Sequence, residues 1–306
     1  MAYKFRVEEP IELGVRRIAL DQIQNARKQL SNNDDQVDAV HRSRKAFKRV
    51  RALLRLIRPT LKSSDYRSFN RRFRDLGRQL AQSRDFDVML QTIDSLEVAH
   101  DLIDSRMTSS TRAAVVEARR IAVRDAGEPP IEAALKELSK AQEDFKKLGL
   151  SRCSLKVVGK QLELSARDFA TFYAAARSAP GDAAVHEWRK RVQYHRRHVA
   201  LLIAAWPEML QPRVDALKLL SEQLGRDQDL AVLAAFVMSC KPPSISKADG
   251  RDLVRLCRQE QSALRGDAFT LGALLAAEKP RSLRRRVTNC WAIQGEQSPT
   301  LKLAAE

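Results

Sequence analysis

Residues 40–59 constrain this chain most, because a helix there separates cations and apolar side chains into two lengthwise stripes. Their sequence is VHRSRKAFKRVRALLRLIRP. At 100° per residue, one side of the helix carries the apolar stripe Phe47, Val50, Leu54, Ile57 and Leu61. The neighbouring side carries the basic stripe His41, Arg44, Lys48, Arg51, Arg55 and Arg58. Like charges at such spacings repel by about 0.2–0.5 kcal/mol per pair, so the basic stripe predicts contact with an anion.

The composition favours a helical protein with a polyanionic partner. The 306 residues include only 11 glycines, 11 prolines and 6% aromatic residues, but 30% charged residues. Such a composition is more typical of helical proteins than of barrels or sandwiches, and we predict an all-α fold. With 55 Lys and Arg against 38 Asp and Glu, the formal charge is +17. This charge favours DNA, RNA, anionic lipid or inorganic polyphosphate as a partner, without choosing among them.

The cysteines and apolar runs argue against several other classes of protein. The four cysteines are scattered without a CxxC pair, so the sequence indicates neither a zinc site nor a disulfide scaffold. No stretch approaches 18 uninterrupted apolar residues, and the N-terminus lacks the apolar region of a secretory signal. We therefore expect a cytoplasmic protein with no membrane partner, metal or cofactor.

The chain repeats its basic motif. Residues 185–192, VHEWRKRV, align with residues 40–47, VHRSRKAF, so that His186 lies 145 residues after His41. Residues 225–230, GRDQDL, align with residues 83–88, SRDFDV, at an offset of 142. Two motifs in the same order at nearly equal offsets indicate an internal duplication. In the second basic helix Gln193 and Ala200 replace Lys48 and Arg55, so we expect that helix to contribute less to anion binding.

The two basic helices supply the main candidate residues. The candidate anion-binding residues are His41, Arg44, Lys45, Lys48, Arg49, Arg51, Arg55, Arg58, His186, Arg189, Lys190, Arg196 and Arg197. A third predicted helix, starting near Ser63, repeats a basic row at 4-3-4 spacing, formed by Arg67, Arg71, Arg74 and Arg78. Of these, Arg71, Arg74 and Arg78 are possible additional contacts. Residues 279–286 add Arg285, although a solvent-facing orientation fits that segment equally well.

These motifs resemble the CHAD domain, the conserved histidine α-helical domain. The resemblance rests on Val-His-x-x-Arg-Lys in both halves and on the two Arg-Asp-x-Asp segments, and it extends to about Trp291. It implies two four-helix bundles related by pseudo-twofold symmetry. From the sequence we place a first repeat at 1–150, a second at 151–292 and a mobile tail at 293–306. The resemblance also implies that the histidine-bearing helices line a basic surface that binds inorganic polyphosphate, and that the protein associates with polyphosphate granules.

Other residues with chemical potential receive structural interpretations. Asp85, Asp87, Asp227 and Asp229 are predicted to cap helices at junctions and to bridge to the preceding arginine. His195 falls on the apolar face of the second basic helix and is predicted to be structural. With no nucleophile–base arrangement and no phosphate-binding loop, a catalytic role is the weakest hypothesis.

We therefore predict a non-catalytic polyphosphate-binding protein. A nucleic-acid or other anionic-granule binding protein is the alternative, although the basic rows lack the aromatic residues on which bases stack. A polyphosphate hydrolase ranks third.

Overall fold

The computed structural model describes residues 3–32, 35–81, 84–100, 105–127, 130–240 and 244–297. These ranges contain eleven α-helices, two short 3₁₀ helices at Arg58–Thr60 and Ile203–Ala205, and no β-strand. The helices are α1 Ile11–Ser31, α2 Gln36–Leu56, α3 Ser63–Gln79, α4 Arg84–Ala99, α5 Ser105–Ala126, α6 Ile131–Lys147, α7 Leu155–Ser178, α8 Asp182–Leu201, α9 Pro207–Ser239, α10 Lys247–Ala276 and α11 Pro280–Gln297. The predicted all-α fold is confirmed.

Local sequence signals define the ends of α2 and α5. Asp35 caps α2, because its side chain accepts a hydrogen bond from the backbone N–H of Asp38 at 3.0 Å. The helix ends at Leu56, and Pro59 follows within the 3₁₀ helix Arg58–Thr60. After α5, Gly127 adopts a φ of 70°, which glycine tolerates without the steric penalty of a side chain.

Both hydrophobic clusters contain residues from each half of the chain. The larger cluster includes Phe47 and Val50 of α2 together with Trp188 and Val192 of α8. The smaller cluster packs α4 and α5 against α9 and α10. Burial of this apolar surface holds the two halves together, and the predicted duplication and its division into two bundles remain predictions.

Helices α2 and α8 touch each other directly. His198 Nε2 of α8 donates a hydrogen bond to the backbone oxygen of Ala52 in α2 at 3.0 Å, and His198 is buried. Ala52 and His198 are 146 residues apart in the sequence. This separation is one residue more than the offset that relates His41 to His186. The N-terminal segment joins the same region, because Phe5 donates its backbone N–H to the oxygen of Leu201 at 2.8 Å. The two histidine-bearing helices thus meet at nearly equivalent positions of the predicted repeat.

A tight aromatic contact fixes the N-terminal half of α8. Trp188 is fully buried, and its ring stacks on Phe269 of α10 with centroids 5.6 Å apart. A Cβ atom at Gly272 would lie 2.6 Å from this tryptophan, so only glycine permits such a close approach of α10.

The last helix is longer than the sequence indicated. α11 reaches Gln297, so residues 293–297 are helical where the start of a mobile tail was predicted. The remainder of that predicted tail, residues 298–306, lies outside the described residues.

His198 makes the stability of this fold sensitive to acid. Burial, together with the nearby cations Arg55 and Arg197, lowers the pKa of His198 to about 3 from an ordinary value of 6.5. The unfolded chain therefore binds a proton below about pH 6.5 that the folded chain excludes, and stability is lost as the pH falls below that value. At pH 5 this single group costs about 2 kcal/mol of unfolding free energy.

We predict that His198→Gln reduces this pH dependence by the share of one group, because glutamine donates to the same carbonyl oxygen but does not titrate. The buried His195, whose pKa burial also lowers, keeps its own share. Urea unfolding between pH 7.5 and pH 5 measures the slope. Val199→Ala, which removes buried apolar volume next to His198 without removing a titrating group, should keep the wild-type slope. Equal slopes for His198→Gln and wild type would mean that His198 is not the responsible group.

Candidate anion-binding site

Helix α2 directs its predicted basic stripe away from the hydrophobic core. Phe47, Val50 and Leu54 are buried, and α2 packs against α1 and α3. This packing leaves His41, Lys45, Lys48 and, just beyond the helix, Arg58 exposed. The candidate cations of α2 are graded in depth, since Arg44, Arg49, Arg51 and Arg55 are half-buried.

Helix α8 carries its cations at greater depth. Its apolar side buries Trp188, Val192 and His195. His195 Nδ1 lies 3.0 Å from Ser165 Oγ, and its ring stacks on Phe169, as expected of a packing histidine. Of the predicted contacts only Lys190 is exposed, and the half-buried ones are His186, Arg189, Arg196 and Arg197.

The two basic rows converge where Arg49 of α2 lies near Arg196 and Arg197 of α8. Burial lowers the pKa of Arg197 to about 10, and the positive charges of Arg196 and Arg49 act in the same direction. Burial also lowers the pKa of Arg196, with a further contribution from Arg49, while Glu222 raises it from beyond ion-pair distance. The guanidinium groups remain protonated at neutral pH, so this is a concentrated, partly desolvated positive charge.

Tyr3 belongs to this convergence point, although the sequence did not single it out. Its hydroxyl donates to the backbone oxygen of Arg49 at 2.9 Å, and the Arg49 guanidinium lies 5.4 Å from the centre of its ring. Burial raises the pKa of the Tyr3 hydroxyl above its ordinary value, while Arg197, Arg49 and Arg196 act in the opposite direction. Tyr3 therefore stays neutral and supports the arginines without neutralising them.

Five arginines of the site make no ion pair with a carboxylate in the described part of the chain. They are Arg49, Arg51, Arg189, Arg196 and Arg197. Three of them use neutral partners: Arg49 donates to Gln22 at 3.2 Å, Arg51 to Asn70 at 3.0 Å and Arg197 to the backbone oxygen of Gln193 at 3.0 Å.

The Nε atoms of Arg189 and Arg196 are buried and have no hydrogen-bond partner among the described residues. Burial lowers the pKa of Arg189, while Asp229 and Asp227 raise it from beyond ion-pair distance. A buried donor without a partner costs about 1–3 kcal/mol, and more when it is charged. The site therefore presents unsatisfied cationic donors that an anion would satisfy.

Aromatic rings and two acidic residues lie at the edges of the site. The Arg55 guanidinium lies 4.6 Å from the centre of the Tyr194 ring, and Arg58 lies 5.0 Å from that of Tyr66. Arg55 also lies 3.6 Å from Asp168 of α7, and Lys190 pairs with Glu187. The rings stack on the cations and orient them, whereas the carboxylates partly neutralise the rim.

The possible additional contacts lie on two helices, three on α3, which packs against α2, and one on α11. Arg71 lines a groove between α3 and α6, Arg74 pairs with Asp75 at 2.8 Å, and Arg78 is exposed. Arg285 is exposed on α11, a helix that packs against α7. None of these four arginines is joined to the convergence point by a contact between described residues.

The prediction that the aspartate pairs lie at helix junctions is correct for the first half and wrong for the second. In the first half the predicted caps and bridges to the preceding arginine stay predictions, and Asp87 pairs with Arg119 at 2.7 Å. Asp85 and Asp87 lie in the first turn of α4, where they favour the helix dipole. Asp227 and Asp229 instead lie inside the continuous helix α9, and Asp227 pairs with Arg265 at 2.6 Å rather than with the preceding arginine. Burial raises the pKa of Asp227 while its contacts with Arg265 lower it, and the 2.6 Å contact makes Asp227 the buried partner of a tertiary ion pair and not a cap.

The described residues contain no group of three or more His, Cys, Asp or Glu side chains suited to a metal ion. Among the same residues, no helix is long and apolar enough to cross a membrane.

Comparison with known proteins places the chain in a family. The CHAD domain family model matches residues 16–238, well over half of the chain. PptA from Streptomyces chartreusis is similar in structure, with 18% sequence identity, a TM-score of 0.65 and coverage of 86% of this chain and 99% of that one. The CHAD domain from the plant Ricinus communis shows 18% identity and a TM-score of 0.63, covering 91% and 94%. A search of curated protein sequences finds no match. On the extent of the family match, the chain is a member of the CHAD domain family.

Proposed function

We propose that this protein binds inorganic polyphosphate without chemically changing it, in the cytoplasm and at polyphosphate granules. The observation that carries the proposal is the convergence of arginines from α2 and α8 that have no carboxylate partner in the described chain. Membership of the CHAD domain family supports the same ligand. The two Val-His-x-x-Arg-Lys motifs that carry the resemblance lie on the histidine-bearing helices α2 and α8, and the resemblance implies that these helices bind polyphosphate.

The proposed ligand matches the chemistry of the site. A polyphosphate chain repeats one anionic group and has no bases, so its binding requires a row of cations and no stacking platform. Arginine binds phosphate oxygens through two parallel N–H groups and keeps its charge, whereas lysine acts as a mobile point charge. The graded depth of the α2 and α8 rows supports this assignment, because exposed lysines would attract the chain and buried arginines would hold it.

A nucleic acid is the second candidate, because its backbone offers similar phosphates. The site argues against base recognition, since Tyr194 and Tyr66 stack on Arg55 and Arg58 and act as supports for cations. Competition separates the two ligands: RNA or DNA that displaces polyphosphate at equal phosphate concentration would favour the alternative. Phosphate release in the presence of magnesium would reveal a hydrolase.

We predict that long-chain polyphosphate binds with an affinity that falls steeply as salt increases, because cations of the protein replace condensed counterions. Isothermal titration calorimetry at two salt concentrations measures this dependence. Changing Arg44, Lys48 and Arg51 together to Glu should abolish binding while circular dichroism shows retained helicity. Failure of the wild-type protein to bind at low salt would contradict the proposed function.

We also predict that Arg196→Met weakens polyphosphate binding without destabilising the protein. The substitution removes a partly buried charge that makes no ion pair in the described chain and interacts only at a distance with Glu222, so the unfolding free energy should stay constant or rise by about 0.5–2 kcal/mol. Affinity should fall about tenfold or more, through loss of a charge-assisted hydrogen bond. Urea unfolding and calorimetry on the same samples provide both values.

Arg265→Met is the matched control for this variant. Arg265 is ion-paired with Asp227 and Asp182; its replacement leaves the buried Asp227 carboxylate without a cation, whereas Asp182 keeps Arg258, and should cost about 3 kcal/mol. Its effect on polyphosphate affinity should be small. If Arg196→Met destabilised the protein as strongly as Arg265→Met, Arg196 would be a structural residue.

A further inference from the structure

A second group of cations lies on α7 and α11, away from the point where α2 and α8 meet. We name it the α7–α11 surface, and its members are Lys156, Lys160, Arg167, Arg281, Arg284 and Arg285. On α7 the three cations follow one another at spacings of four and seven residues, which places them on one side of the helix. Arg281 and Arg285 are likewise one turn apart on α11, and both are exposed.

One buried carboxylate organises this surface. Glu163 is 4% exposed and forms ion pairs with Lys160 at 3.2 Å, Arg167 at 3.3 Å and Arg284 at 2.9 Å. Its pKa is lowered by Lys160, Arg284 and Arg167 despite the opposing effect of burial, so the carboxylate is ionised. Glu163 thereby fixes α11 against α7 and holds three cations beside one another.

The charge of the surface greatly exceeds what Glu163 can neutralise. Lys156, Arg281 and Arg285 make no ion pair within the described ranges, and Lys160 and Arg167 keep more than half of their side-chain surface exposed. Only three of the six cations therefore pair with Glu163, and the other three stay without an ion pair among the described residues. A surface of this kind attracts polyanions and keeps its donors open to solvent.

The α7–α11 surface borders the α2 row across a single helix. Asp168 of α7 lies 3.6 Å from Arg55 of α2, while the adjacent residue Arg167 contributes to the α7–α11 surface. A helix with its side chains is about 10–12 Å wide, so a flexible chain leaving Arg55 needs to cross only that distance. Asp168 marks the boundary between the two groups of cations.

We propose that a long polyphosphate chain bound along α2 continues across α7 onto the α7–α11 surface. This inference rests on the proposed function and extends its ligand site to α11, which lies beyond residues 16–238 of the family match. Short chains occupy the α2–α8 site alone, whereas long chains occupy both surfaces. The protein thus distinguishes chains by length through a second set of contacts.

The test compares two ligands on one charge-reversal variant. In Arg281→Glu with Arg285→Glu, both substitutions fall on exposed positions, and thermal melting checks the fold. Long-chain polyphosphate should bind this variant about tenfold more weakly, with a shallower salt dependence, because two phosphate contacts are lost. Tripolyphosphate, which is too short to leave the α2–α8 site, should bind it within about twofold of wild type.

Arg120→Glu with Arg124→Glu is the matched control. These arginines are also one turn apart and exposed, and they lie on α5, which packs mainly against α4 and α10. The control changes the net charge equally and should leave long-chain affinity near that of wild type. Equal losses of long-chain affinity in both variants, or no loss in the α11 variant, would overturn the extended path. Continued binding of tripolyphosphate would then still support the α2–α8 site. Failure of wild type to bind either ligand would overturn the proposed function itself.

Discussion

The proposed anion site depends on arginine side chains that are partly buried without forming ion pairs to carboxylates. Arg189, Arg196 and Arg197 are held at intermediate depth by α8, whose opposite side is fixed by Trp188 in the core. Desolvation disfavours their charged forms, and such a cost persists only where the surrounding fold imposes it. The apolar stripes of α2 and α8 impose it, because they determine how deeply each cation lies.

Arginines elsewhere in the chain show what a structural role looks like. Arg265 connects α10 to Asp227 of α9 and Asp182 of α8, and Arg72 connects α3 to Glu137 and Asp144 of α6. In these pairs each charge is compensated within the protein, so they fix helices relative to one another. The cations at the α2–α8 contact lack this compensation. Arginine thus stabilises the fold through the ion pairs of Arg265 and Arg72, whereas at the α2–α8 contact it is available to a ligand.

The sequence predicted the fold class and the outline of the basic rows because both depend on local periodicity. The apolar residues of α2 recur at helical spacing, and their burial follows directly. The repeated Val-His-x-x-Arg-Lys motif also identified the two helices that touch through His198 and Ala52. Periodicity assigns a side chain to a helix face, and for amphipathic helices that face determines burial.

The remaining features depend on contacts between distant residues. Tyr3 reaches Arg49 across 46 positions, and no local pattern around Tyr3 predicts this hydrogen bond. The second Arg-Asp-x-Asp segment was misplaced because the first copy begins a helix, whereas the second lies inside α9, where Asp227 finds a tertiary partner in Arg265. The same short motif therefore occurs in two structural contexts, at the start of α4 and inside α9.

The most direct test of the central claim is a crystal structure of the protein in complex with a short polyphosphate. We predict phosphate oxygens within hydrogen-bond distance of the Nε atoms of Arg189 and Arg196. These atoms have no hydrogen-bond partner in the described chain. Arg49 and Arg197 should contact neighbouring phosphates of the same ligand. A polyphosphate bound elsewhere, with those Nε atoms still buried and without a partner, would contradict the account.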